Sequence, residues 1–170
     1  KIDGEPLDVF AERARKDSQE QAKKAAEKGT AIHAAIQTFY TSDTLAAIPR
    51  KEYEVFVDAA VNRLTLEFPT IRKWAVETSF ASPMGFGGKC DLVNDNGTDR
   101  FVIDVKTKEF SDPLKQLAWD EHCLQLAAYR WGLKMLDGRC FNLFVSVNHP
   151  GLVHLHEWSE DKLRRGWKMF

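Results

Sequence analysis

Cysteine is scarce in this 170-residue chain. Cys90, Cys123 and Cys140 are the three present, and none stands in a C-x-x-C pair. That argues against a disulfide framework, a zinc knuckle or a cysteine-held iron–sulfur cluster, and fits a reducing, intracellular setting. Net charge is equally scarce: 24 basic against 25 acidic side chains leave −1. No global field attracts nucleic acid, so any such role rests on local patches. No run approaches the roughly 18–20 apolar residues that span a bilayer, and no signal peptide is visible. Internal repeats and low-complexity tracts are missing too. So is the Walker phosphate loop, since no Lys-Ser/Thr follows Gly85, Gly87 and Gly88.

What is there is ordinary globular composition, 44% hydrophobic and 29% charged. The length suits one domain burying about 70% of its unfolded surface. The chain begins at Lys1 rather than Met and stops at Phe170 inside a helical pattern, as a fragment of a longer protein would. Residues 1–10 read as an arm with a turn at Asp3-Gly4. Residues 9–40 are rich in helix formers. Gly29-Thr30 is expected to interrupt that helix, with Thr30 capping a second piece striped by Ile32, Ile36 and Phe39/Tyr40. Its basic residues (Arg13, Arg15, Lys16, Lys23, Lys24, Lys28) read as a solvated face.

Beyond Ile48-Pro49 a second helix covers residues 51–68 and ends at Pro69. Residues 72–81 alternate as a strand, with Trp74, Val76, Thr78 and Phe80 on one side and Glu77 on the other. The longest helix is expected over 114–137, with Leu117, Leu124, Ala127, Ala128, Trp131 and Met135 buried and Gly138 as its C′ residue. Residues 139–148 form a strand with Phe141, Leu143, Val145 and Val147 on one face. Pro150-Gly151 turns it into a partner strand over 152–158. Ser159 caps a last helix over 160–170. His154 and His156 share a strand face but lack a third ligand at metal spacing, so they read as structural.

The most informative stretch is 85–108, GFGGKCDLVNDNGTDRFVIDVKTK. It reads as two strands joined at Asn96-Gly97, a pair suited to positive φ at both turn positions. That turn sets Asp91 opposite Val102 and Lys89 opposite Asp104. Asp91, Val102, Asp104 and Lys106 then point to one side of the sheet. Two carboxylates roughly 7–8 Å apart at Cα can converge on one cation, since Mg2+ sits about 2.0–2.1 Å from each ligand oxygen. Two acids and a lysine beside Val93, Phe101 and Ile103 cost free energy unless something uses them. An Asp-x-Lys on its own reads more readily as a solvated hairpin face, because isolated surface charges are the norm.

The wider pattern is more specific. Asp104-Val105-Lys106, preceded by apolar residues 101–103 and by Gly88-Lys89-Cys90-Asp91, resembles the signature of the PD-(D/E)XK nucleases. Cys90-Asp91 stands where the literal Pro-Asp would be. Gly29-Thr30-x-x-His33 upstream and Gln125-x-x-x-Tyr129 downstream complete, in order, the motif set of the RecB-like exonuclease branch. That branch includes phage exonucleases and the mitochondrial genome maintenance exonuclease. The resemblance runs from His33 to about Trp158. It implies an α/β fold, an αβββαβ core with a mixed sheet flanked by helices and an N-terminal helical extension. The whole chain, 1–170, is expected to be one nuclease domain: mainly helical in 1–70, the catalytic sheet core in 71–158, a C-terminal helix in 159–170.

The implied activity is that of a metal-dependent deoxyribonuclease, an exonuclease acting in DNA recombination, repair, replication or phage DNA processing. Asp91, Asp104, the Val105 carbonyl and His33 would hold one or two Mg2+ or Mn2+ ions, with Glu77 as an assisting acid. Lys106 would attend the attacking water, and Gln125 and Tyr129 would support it. Lys108, Lys115, Trp119, Arg164 and Arg165 are the candidate DNA contacts. The implied partner is single-stranded DNA or an end-containing duplex, with a recombination or replication protein as a further partner and no membrane. The expected location is intracellular: cytoplasmic, viral or an organellar matrix. The rival reading is a catalytically inactive nuclease-fold module for nucleic-acid binding or assembly, which the intact acids and lysine disfavour. A Cys123 nucleophile has no histidine placed to pair with it.

Overall fold

The computed structural model describes residues 5–42, 44–48, 51–97, 99–115 and 117–170, the side chain of Ala46 excepted. The expected turn at Asp3-Gly4 and the punctuating Pro49 lie outside them. Helix α1 (Leu7–Ser42) runs unbroken for 36 residues, so the expected interruption at Gly29-Thr30 does not occur. Gly29 is there for space. A Cβ at that position would lie 2.5 Å from Thr107 Oγ1, so this turn of α1 lays its backbone directly on the sheet. Upstream, the helix surface is polar and carries i,i+4 pairs such as Glu12–Lys16 and Glu20–Lys24. Downstream, Ile32, Ala35 and Ile36 are buried. Lys28 is exposed, as expected, and also reaches the sheet, its ammonium donating to the Val147 carbonyl at 2.6 Å. Helix α2 (Glu54–Glu67) buries Phe56, Val57, Ala60 and Leu64 in the same layer.

Five strands follow the order β1-β2-β3-β4-β5: β1 Ala75–Ala81, β2 Gly87–Asp95, β3 Arg100–Lys108, β4 Arg139–Ser146 and β5 Val153–Trp158. Strands β3 and β4 are parallel and joined through α3 (Asp120–Gly132); the other neighbours are antiparallel. One face of the sheet packs Ile103, Val105, Leu143 and Val145 on α1 and α2. The other packs Val102 and Cys140 on Cys123, Leu126 and Ala127 of α3 and on Leu163 of α4 (Glu160–Met169). This is an α/β sandwich around a mixed sheet. Ser159 caps α4 as expected, its Oγ accepting the Lys162 N–H. Among the described residues no helix is long and apolar enough to cross a membrane.

Helix α3 is much shorter than the expected span, and α1 is the longest helix. Before α3, the chain crosses the end of β4. Lys108 donates to the Leu117 carbonyl at 2.9 Å, Ser146 donates to the Phe110 carbonyl at 2.6 Å, and Phe110 and Leu117 pack on Phe144. These tertiary contacts outweigh local helix preference. His122 Nδ1 then accepts the Trp119 N–H at 3.0 Å and starts the helix. At the other end Met135 N–H donates to Arg130 O and Lys134 N–H to Trp131 O. That is a Schellman stop with Lys134 at φ 58 in the left-handed position, not Gly138. The buried stripe shifts with the boundaries: Cys123 and Leu126 are inside, Leu124 is half-buried, and Trp131 lies outside, stacked on Trp167 at 4.3 Å.

Candidate active site

The sheet forks between β2 and β3. Their ladder runs only from Asp95↔Arg100 to Leu92↔Ile103. Beyond it β2 continues with β1 alone, and β3 with β4 alone. The register differs from the expected one, since Val93 and not Asp91 opposes Val102. The connection sets this shift. Asn94 Nδ2 donates to the Asp99 carbonyl, Arg100 holds Asp95 at 2.8 Å across the strand ends, and Gly97 turns at φ 91. Asp91 and Asp104 therefore become the first residues past the last pair, one on each tine.

The expected alignment of both acids on one side of a regular ladder is also replaced. Leu92 packs toward α1 and Cys90 toward α3, although two residues apart should share a face. Alternation therefore breaks at Asp91. Strand β1 breaks at the paired position: Val76 packs toward α1, Phe80 toward α3, and Glu77 between them holds φ 52. Few glutamates occupy that left-handed region, and such strain collects at functional sites. Val76↔Leu92 and Thr78↔Cys90 bracket the two irregular residues, so they face each other.

The break turns the Asp91 carboxylate into the fork. Its Oδ2 accepts the Val105 N–H at 2.6 Å, standing in for a ladder carbonyl, and lies 3.9 Å from His33 Nδ1 on α1. His33, Gln37, Glu77, Asp91 and Val105 line a cleft of about 10 Å3, close to the volume of one water. Glu77 also forms an ion pair with Lys89.

Asp104 reaches the fork from the α3 side and is only 4% exposed. Its Oδ2 accepts from Asn142 Nδ2 at 2.7 Å, and Asn142 Oδ1 accepts the Trp158 indole N–H at 2.7 Å. Lys106, two residues along the same face, places its ammonium 2.9 Å from Asp104 Oδ2 and donates to Gln125 Oε1 at 2.8 Å. Gln125 Nε2 in turn donates to the Tyr129 hydroxyl at 2.9 Å, as their four-residue spacing on α3 allows. Gly88 makes room for this pair, because a Cβ there would lie 2.7 Å from the Tyr129 ring.

Burial pushes the Asp104 carboxyl up to about 6, with Lys106 opposing and Asp91 adding to the shift. Burial lowers His33, with Asp91 opposing, so its imidazole is neutral near pH 7 and free to ligate. Burial raises the Cys90 thiol and the Tyr129 hydroxyl, which keeps both protonated. A desolvated carboxylate beside a second acid favours a cation. Two carboxylates, a peptide carbonyl and one imidazole suit a hard divalent ion. Among the described residues no three His, Cys, Asp or Glu close into a ready-made cage.

The expected DNA contacts are scattered. Lys108 is spent on the Leu117 carbonyl and Arg164 on Glu160 at 2.9 Å, whereas Lys115, Trp119 and Arg165 face solvent. A groove of about 750 Å3 between α1 and the start of α2 contains none of the site residues. Asn142 and Trp158 escaped sequence reasoning. Their one signal was a lone amide inside the apolar strand Cys140-Phe-Asn-Leu-Phe, which the parallel register sets beside Asp104.

A mixed five-stranded sheet with an acid on each tine of a fork, and a lysine two residues past the second acid, is a nuclease architecture. The chain belongs to the PD-(D/E)XK nuclease superfamily, whose family model matches residues 9–165. Its members hydrolyse phosphodiesters and generally use divalent metal ions. Among solved structures, one described as "Crystal structure of SSO0001" is similar over 83% of this chain and 70% of that chain, at 14% identity and a TM-score of 0.38. No curated protein matches the chain.

Proposed function

We propose that the chain is a RecB-like, divalent-metal-dependent deoxyribonuclease that removes nucleotides from DNA ends inside the cell, in recombination, repair or replication. One observation carries this reading. An unbroken hydrogen-bonded line, Tyr129–Gln125–Lys106–Asp104–Asn142–Trp158, passes through the fork that also holds Asp91. A merely structural ion pair has no need of partners that aim both its lysine and its carboxylate. Asp91, Asp104, the Val105 carbonyl and His33 are the residues to hold one or two Mg2+ or Mn2+ ions, with Glu77 assisting. The metal, when bound, supplies a water nucleophile at neutral pH and stabilises charge on the phosphate.

The chain's own residues do the rest. Lys106 has three N–H donors, and Asp104 and Gln125 leave one for the attacking water or a phosphate oxygen. Gln125 and Tyr129 hold the ammonium in place, so little reorganisation is needed at the moment of reaction. Asn142 fixes Asp104 in one rotamer. Lys115, Trp119 and Arg165 extend the DNA contact, and residues 1–170 act as one nuclease domain.

A digestion time course on end-labelled linear and circular DNA, single- and double-stranded, with Mg2+ or Mn2+, tests the reading. Linear DNA shortens from its ends, circles resist, and Asp104→Ala and Lys106→Ala lose cleavage while melting as folded proteins. Cut circles would make the activity endonucleolytic. Full activity in both variants would remove the site. DNA binding without any cleavage would favour the inactive module.

A further inference from the structure

We propose that the groove beside Lys106 is a stacking subsite for an unpaired DNA base, next to the phosphodiester cleaved at the fork; this rests on the nuclease reading above. The groove holds about 580 Å3 and shares Lys106, Gln125 and Tyr129 with the candidate active site. Phe80, Phe86 and Leu124 form its apolar walls. Phe80 is closely packed, because a Cβ at Gly132 would run into its ring and one at Gly88 would lie 3.0 Å from it. Two glycines therefore clear the space this ring fills. From there the rings follow edge to face, Tyr129–Phe80 at 5.8 Å and Phe80–Phe86 at 5.9 Å between centroids. The groove passes from ammonium through amide and phenol to bare hydrocarbon rings.

That gradient matches one nucleotide of a single strand. The phosphate belongs at Lys106, and the base, one sugar away, belongs on Phe86 and Phe80. Inside a duplex the bases are paired and stacked on one another, so an unpaired base is the one that can enter the groove and lay its π-face on these rings. Lys106 is the one lysine or arginine among the lining residues, and Glu121 stands at the rim. Attraction in the groove therefore comes from stacking more than from phosphate pairing.

The test is fluorescence anisotropy in EDTA with three labelled probes: a single-stranded oligothymidylate, an abasic strand of equal length, and a blunt duplex. The protein binds the oligothymidylate most tightly. Phe86→Ala weakens that binding about 5- to 150-fold, the span expected for one stacked base, with little effect on the abasic strand. Phe86→Trp retains it. Leu124→Glu, at a half-buried helix position, blocks the groove and gives the same loss should Phe86→Ala fail to fold. Equal binding of the abasic strand or the duplex by wild type, or unchanged binding in Phe86→Ala and Leu124→Glu, overturns the subsite. Parallel Mg2+ digestions separate the two readings. Cleavage with no preference for bases sinks the subsite alone, whereas base-dependent binding without cleavage sinks the nuclease reading and leaves the subsite standing.

Discussion

The two faces of β3 and β4 come from the same strands yet bury different chemistry. Toward α1 and α2, Phe101, Ile103, Val105, Phe141, Leu143 and Val145 form a wholly apolar layer, with Phe68 edge-on to Phe141 at 5.1 Å. Toward α3, Val102, Asp104, Cys140, Asn142, Phe144 and Ser146 alternate apolar with polar groups, and all six are buried. Burying a polar group is costly unless it is hydrogen-bonded. Among the described residues no buried side-chain nitrogen or oxygen lacks a partner. One face holds the sheet together; the other gives up apolar area to fix a carboxylate.

If the faces divide the work this way, substitutions on them part company. Phe141→Ala, on the apolar face and 1% exposed, costs about 3–5 kcal/mol of stability in urea unfolding. Cleavage per folded molecule stays near wild type. Across the strand, Asn142→Leu strands the Trp158 indole N–H and leaves Asp104 Oδ2 with Lys106 alone. It costs about 1–3 kcal/mol, while cleavage or Mn2+ affinity drops about 10- to 100-fold. An Asn142→Leu protein that loses stability and nothing else would erase the distinction.

His122 sharpens the contrast through pH. Burial lowers it from 6.5 to about 4. Between those values the unfolded chain binds a proton that the folded chain refuses, so stability falls as pH drops from about 6.5 toward 4. Melting temperatures of His122→Gln show less of that fall than wild type. The smallest effect lies outside both faces. Lys134→Gly relieves the left-handed C′ residue of α3 and raises stability by about 0.5–1 kcal/mol without changing cleavage.

Local chemistry made part of this legible in sequence. Period-two alternation in Phe141, Leu143, Val145 and Val147 placed β4, and Ser159 announced α4. The spacing in Asp104-x-Lys106 and Gln125-x-x-x-Tyr129 put each pair on one face of its element, and the structure joins the two pairs through Lys106 and Gln125. What stayed hidden depends on contacts distant in sequence. Leu117 and Ala118 look helical but are drawn onto Phe144. Gly29 looks like a helix breaker, yet it is where the α1 backbone meets Thr107. The paired breaks at Glu77 and Asp91 violate the alternation on which any strand reading depends. They are also what turns Asp91 into the fork, so the expectation failed at a residue proposed to hold the metal.

Calorimetric titration of Mn2+ into the metal-free protein tests the fork most directly. Wild type takes up the ion. Asp91→Ala and Asp104→Ala do not, and Lys106→Ala binds it but fails to cleave DNA. A folded Asp104→Ala protein that binds Mn2+ as wild type does, or a wild type that binds none, would contradict the account.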